Sequence, residues 1–259
     1  MRLTLSRLSL VAVLVALAWL AAAAGARAGT ALVAVAANFA DAARALRPAF
    51  RDATGHDLEI TTGSTGKLYA QIVAGAPFDV MLSADAATPA RLLAEGRAVA
   101  GSGVTYAVGR LTLWSADPAR IGADGRAVLA DPDLRFVAIA NPDLAPYGAA
   151  ARAALHALDL WDALQPKIVM GQNIGQTHAM VATGAAEVGL VALSAVRNPP
   201  ADAGGSRWDV PAALYPPIRQ DAVLLAHGAD NPAARMFMDF LRSPEAAAVI
   251  ARFGYDTAE

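Results

Sequence analysis

The chain has 259 residues, 56% of them hydrophobic, and its 21 basic residues against 23 acidic ones leave a net charge of −2. It has no cysteine, which excludes disulfides, thiolate metal sites and lipid attachment through a thiol, so the hydrophobic core must suffice by itself. With no basic excess and no aromatic-basic stripe, the composition argues against a nucleic-acid partner.

Residues 1–28 read as a secretory signal peptide. Arg2 and Arg7 form a charged n-region, Leu10 to Ala24 is an unbroken apolar run, and Ala26-Arg27-Ala28 is an A-x-A cleavage signal. The run is short for a membrane span. The expected mature chain is therefore exported to the periplasm, and without Arg2, Arg7 and Arg27 it keeps 18 basic residues against 23 acidic ones, a net charge near −5.

Ala31 to Ala36 reads as a buried strand, followed by a helix from Phe39 to about Arg51 with Phe39, Ala42, Ala43, Leu46 and Phe50 on one face. Asp57 to Thr62 alternates as a strand, Gly63-Ser64-Thr65-Gly66 is a turn, and a helix over 67–74 follows. A strand at Phe78–Leu82 and a helix over 86–95 continue the alternation, which specifies a parallel α/β sheet. Thr105 to Trp114 is one extended segment with Gly109 in its middle, suited to leaving one sheet and entering another.

A second α/β unit follows, with strands at 136–140, 167–170 and 187–192 and helices at about 149–158 and 176–183. Residues 198–206 are an aperiodic loop, Asp221 to Ala226 is a strand, and helices at 232–241 and 244–253 close the chain. The expected division is a first lobe of residues 29–108 and 218–259 and a second lobe of residues 109–217, each α/β.

Four turns stand between a strand and a helix start: Ala37-Asn38, Ser64-Thr65, Tyr147-Gly148 and Ile174-Gly175. Helix starts present unpaired N–H groups and the positive end of the helix dipole, so such turns can seat an anion. In open α/β sheets these turns face the ligand crevice. Their side chains are neutral donors or bare backbone, which suits a fully ionised oxyanion.

Each turn also has a plainer reading: Asn38, Ser64 or Thr65 as helix caps, Tyr147 and Ile174 as core. Gly66-Lys67 is not a phosphate-binding P-loop, because only Ser64 and Thr65 separate Gly63 from Gly66 and Leu68 follows the lysine. Lys67 reads as a solvated helix residue.

Catalytic signals are poor. There is no G-x-S-x-G elbow, and His56, His156, His178 and His227 have no paired metal-ligand spacing. His178 is expected on an exposed helix face or at the cleft. Asp85 reads as a cap for the helix after it, and Asp79 as structural.

Several stretches resemble the periplasmic molybdate-binding proteins of ABC importers. They are Val35-Ala-Ala-Asn38-Phe39, Thr62-Gly-Ser-Thr65-Gly66 with Gln71-Ile-Val-Ala-Gly-Ala-Pro77, Leu82-Ser-Ala-Asp85, Ala140 to Gly148 and Phe253-Gly-Tyr255. The resemblance covers essentially the whole mature chain. It implies a two-lobed type II periplasmic binding fold, each lobe a mixed sheet flanked by helices, with molybdate or tungstate in the interlobe cleft. It also implies delivery to an inner-membrane permease by a monomer that carries no cofactor, holds no metal apart from that of its cargo and catalyses nothing.

By that resemblance the oxyanion ligands fall on Asn38, Thr65, Tyr147 and the backbone N–H of Ile174, with Ala37 and Ser64 beside them. Some members carry a hydroxyl residue at the position of Ala37, which here offers only its N–H. Others use a tyrosine at the position of Ala192, and here Tyr147 is expected to supply the phenol. The alternatives left open are a binding protein for sulfate or another oxyanion, and an exported phosphate-ester hydrolase whose nucleophile or metal is not found.

Overall fold

The computed structural model describes residues 29–197 and 204–256; the leader assigned to residues 1–28 lies outside them. The chain runs through β1 (Thr30–Ala36), a 3-10 turn (Ala37–Phe39), α1 (Ala40–Thr54), β2 (Asp57–Gly63), α2 (Thr65–Val73), β3 (Val80–Leu82) and α3 (Ala87–Ala94). It continues with β4 (Val104–Gly109), β5 (Leu111–Ser115), α4 (Gly125–Leu129), β6 (Val137–Ala140), α5 (Pro146–Ala157) and α6 (Trp161–Leu164). Then come β7 (Ile168–Gly171), α7 (Ile174–Ala182), β8 (Val188–Ala192), α8 (Leu193–Val196), β9 (Ser206–Asp209), β10 (Ile218–Leu224), α9 (Pro232–Phe240) and α10 (Pro244–Arg252).

Periodicity explains most of these elements. Ala42, Ala43, Leu46 and Phe50 form the buried stripe of α1, and Phe39 is buried just ahead of it. The helix stops at Gly55, whose φ of 74° is the left-handed value that glycine adopts without penalty.

Two five-stranded mixed sheets result, with strand orders β2-β1-β3-β10-β4 and β7-β6-β8-β5-β9. In the first, β1 is parallel to β2 and β3, and β10 is antiparallel to β3 and β4. The second repeats the plan, with β6 parallel to β7 and β8, and β5 antiparallel to β8 and β9. Helices cover both faces: Val33 and Val35 of β1 enter the core beneath α1, α9 and α10, while Ala34 enters the one beneath α2 and α3.

Three details differ from the sequence reading. The extended run around Gly109 is two strands, β4 and β5, separated by Arg110 and paired into different sheets. The stretch that follows the aperiodic loop holds β9, an edge strand on β5; four residues give too short an alternation to stand out. β10 begins at Ile218 rather than 221, because Ile218, Gln220 and Ala222 all face inward and the polar Gln220 hides the period of two.

Asp79 is structural. Its Oδ2 accepts the Leu32 N–H at 2.8 Å and the Asn231 amide at 2.9 Å, and its Oδ1 lies 2.9 Å from His227 Nδ1. It therefore ties β1 to the N-cap of α9. Asp79→Ala leaves the part-buried Leu32 N–H without its acceptor and the Asn231 amide with only the Thr30 carbonyl; the expected cost is about 1–3 kcal/mol, a melting-point drop of roughly 2–10 °C by calorimetry.

Candidate functional site

Parallel strands end at a common edge, so the turns that follow them collect there. The turns after β1 and β2 come from the first sheet, and those after β6 and β7 from the second. They meet in one small cavity lined by Ala36, Ala37, Asn38, Gly63, Ser64, Thr65, Ala84, Ala145, Pro146, Tyr147, Asn173 and Ile174. All six residues singled out from the sequence are present, and Ala84, Asn173 and the flanking small residues are additions.

The cavity is small: the space open to the centre of a water-sized sphere is about 10 Å³, close to the roughly 10–15 Å³ that one water needs. So tight a site excludes a ligand needing the usual range of about 300–1,000 Å³. No lining residue carries a charged side chain.

Local chemistry places the donors. Ser64, not Thr65, is the N-cap of α2, accepting the Lys67 N–H at 3.4 Å. Thr65 is thus the first helical residue, whose N–H has no carbonyl one turn back. Its Oγ1 accepts the Ala84 N–H at 3.2 Å, which leaves the hydroxyl hydrogen to be donated elsewhere. Ile174 holds the same position in α7, behind Asn173, whose side chain caps the helix by accepting the Gln176 N–H at 2.9 Å. Pro146 is the first residue of α5 and Tyr147 the second, buried to 1% exposure.

The Tyr147 hydroxyl accepts from Gln220 Nε2 at 3.3 Å. Burial pushes the phenols of Tyr147, Tyr106 and Tyr255 above the ordinary tyrosine range, so all three stay protonated at physiological pH.

Asn38 behaves differently from a free amide donor. Its Nδ2 donates both hydrogens, to Gln220 Oε1 at 2.8 Å and to the Tyr255 hydroxyl at 3.1 Å. Its Oδ1 is buried with no partner among the described residues. Of Asn38's donors, the main-chain N–H, in the 3-10 turn beside that of Ala37, is the one these bonds leave unengaged.

Other candidates lie elsewhere. Lys67 is exposed. His178 stacks on Trp114 with ring centroids 4.7 Å apart, and burial lowers its pKa. Asp85 accepts the Thr88 N–H at 2.8 Å in the first turn of α3. Ala192 is fully buried at the end of β8, outside the cavity lining. The described residues contain no cluster of three metal-ligating side chains.

The lobes touch around the cavity. The Gly66 N–H donates to the Leu144 carbonyl at 3.0 Å, and the Ser194 hydroxyl donates to the Asn38 carbonyl at 3.0 Å. Ala36 and Ala84, from the first lobe, pack within the core of the second.

Comparison with known proteins agrees with this architecture. The family model described as bacterial extracellular solute-binding protein matches residues 31–256. The chain is 48% identical over 232 residues to the molybdate-binding protein ModA of Rhodobacter capsulatus, covering 90% of each. It is 49% identical over 223 residues to the protein of the same name from Azotobacter vinelandii, covering 86% of this chain and 88% of the relative. The solved structure of the Azotobacter vinelandii periplasmic molybdate-binding protein superposes with a TM-score of 0.85 at 42% identity, over 88% of this chain and all of that one.

The lobe contact at Gly66 is close: an added Cβ would lie 3.3 Å from the Leu144 carbonyl oxygen and 3.4 Å from its Cα. Gly66→Val should wedge the lobes apart, seen as a larger radius of gyration by small-angle scattering. Lys67→Ala, one residue on and exposed, should leave it unchanged.

Proposed function

The chain belongs to the bacterial extracellular solute-binding proteins, and from that membership we infer that it captures molybdate between its lobes and hands it to an ABC importer permease. The observation that carries this reading is the uncharged, donor-lined cavity at the meeting of four helix-start turns, in a chain 48% identical to a molybdate-binding relative. It is a binding protein and not an enzyme.

In this reading residues 29–108 with 218–259 form one lobe and residues 109–217 the other. Residues 1–28 direct export to the periplasm and are removed, and the mature chain works as a monomer. Tungstate, with the same charge and shape, is accepted alongside molybdate.

The donor set is the N–H and hydroxyl of Thr65, the N–H groups of Ser64, Ala37, Asn38 and Ile174, and the phenol of Tyr147. Hydrogen bonds to a charged acceptor contribute roughly 1.5–3 kcal/mol each, so even four to six of these seven offset the cost of closure and still hold the anion tightly. Because no counter-charge stays behind, the donors lose the anion when the lobes part. Sulfate is the smaller tetrahedron and falls short of donors spaced for molybdate. Phosphate carries a proton near neutrality that needs an acceptor.

Titration calorimetry with molybdate, tungstate, sulfate and phosphate tests this directly; equal affinity for sulfate and molybdate would refute the selectivity. Thr65→Val removes the hydroxyl and should cost roughly 1.5–3 kcal/mol, one to two decades in molybdate affinity. Thr65→Ser should stay close to the unaltered chain. Both variants need an apo melting curve, since valine also strips the Ala84 N–H of its acceptor. With the phenol pKa raised and no other titratable side chain in the lining, affinity should be flat from neutral to mildly alkaline pH.

A further inference from the structure

Gln220 does not line the cavity, yet its side chain hydrogen-bonds to both of the cavity's lobes, as the Tyr255 hydroxyl also does. It is fully buried at 0% exposure on β10, next to an irregularity in the pairing with β4 between Gln220 and Asp221. Its Oε1 accepts from Asn38 Nδ2 at 2.8 Å and from the Tyr106 hydroxyl at 3.1 Å, both in the first lobe. Its Nε2 reaches the other way, to the Tyr147 hydroxyl of the second lobe at 3.3 Å.

The backbone leaves this bond little freedom. Gly109, the last residue of β4 before the chain crosses to the second sheet, lies against both groups. A Cβ there would overlap the Tyr147 hydroxyl and sit 2.5 Å from Gln220 Nε2. Contacts beside a crossing strand move least when two lobes rotate about it.

We propose that Gln220 is the positioning residue of the anion seat: its amide orients the Tyr147 phenol and immobilises the Asn38 turn. This rests on the molybdate reading above. The chemistry sets the direction of the effect. Because Nε2 donates to the phenol oxygen, the phenolic hydrogen turns away from Gln220 and remains to be given to an anion. Because Oε1 accepts from Asn38, the turn carrying the Ala37 and Asn38 N–H groups is held where β1 delivers it. A carboxylate at position 220 has no hydrogen to donate to Tyr147 and accepts from it, reclaiming the phenolic hydrogen.

The test is calorimetry with inorganic molybdate on the full chain and on two double-mutant cycles. Gln220→Met, unbranched and of similar length, should weaken molybdate binding about tenfold, and Tyr147→Phe by a similar factor. The two combined should be little weaker than Gln220→Met alone, because the amide's hold on the phenol is already lost there. Gln220→Met combined with Thr65→Val should instead multiply. Gln220→Glu should bind more weakly than Gln220→Met.

A merely structural Gln220 would lower the apo melting point while leaving affinity within about twofold, or would give a multiplicative cycle with Tyr147→Phe; either result overturns the proposal. Should Gln220→Met fail to fold, Gly109→Ala displaces the same bond with Gln220 intact. It should weaken molybdate binding to the level of Tyr147→Phe; unchanged affinity refutes the role. Failure of the unaltered chain to bind molybdate removes the functional reading and this inference with it. Binding with a multiplicative cycle removes the inference alone.

Discussion

Holding an anion away from water with no cation beside it is the constraint around which this molecule is built. An uncompensated buried charge is costly, and hydrogen bonds must replace the lost hydration nearly one for one. The donors that do so without side-chain entropy are the first N–H groups of helices, already unpaired and aligned with the helix dipole. One such turn supplies only two or three. Four turns meet here because β2-β1-β3 and β7-β6-β8 are parallel, so their strands end at common edges. An antiparallel β2 or β7 would send its turn to the far edge, and the donor set would be divided.

Close backbone approach is the second requirement. Gly148 follows Tyr147 in the first turn of α5, where a Cβ would overlap the Ala140 carbonyl at the end of β6. The helix start is therefore pressed onto its own strand, which fixes the position of Tyr147. Thr65 is fixed from the other direction, through its hydroxyl oxygen and the Ala84 N–H. Both residues are held by a neighbour that is itself buried, so their positions are set by the fold.

Sharing the donors between two lobes makes capture reversible. Among the described residues the lobes touch through the Gly66–Leu144, Ser194–Asn38, Tyr255–Ser194 and Gln220–Tyr147 bonds and small apolar side chains. Neutral hydrogen bonds are worth about 0.5–1.5 kcal/mol each, so four contribute only about 2–6 kcal/mol. A lysine or arginine in the cavity would hold the anion more firmly but would keep its charge when the lobes part. Neutral dipoles bind strongly only when several converge, which ties affinity to closure.

Short-range pattern was enough for much of this. The buried stripe of α1, the strand-to-helix alternation, the four turns and the structural part played by Asp79 were legible because periodicity and turn chemistry act over a few residues. The six residues singled out from the turns all line the cavity. What each atom does there was not legible. Whether Ser64 or Thr65 caps α2 depends on a one-residue difference in where the helix begins. Asn38 looked like a side-chain donor, but its amide is committed to Gln220, 182 positions away, and to Tyr255, 217 positions away. Gln220 was hidden as a polar residue interrupting an otherwise apolar strand face. The sequence by itself determined which segments become strands and helices and where unpaired N–H groups arise, since both follow from neighbours along the chain. Only the tertiary structure decided which polar groups face each other across the sheets, because strand order and lobe contact bring together residues that share no local pattern.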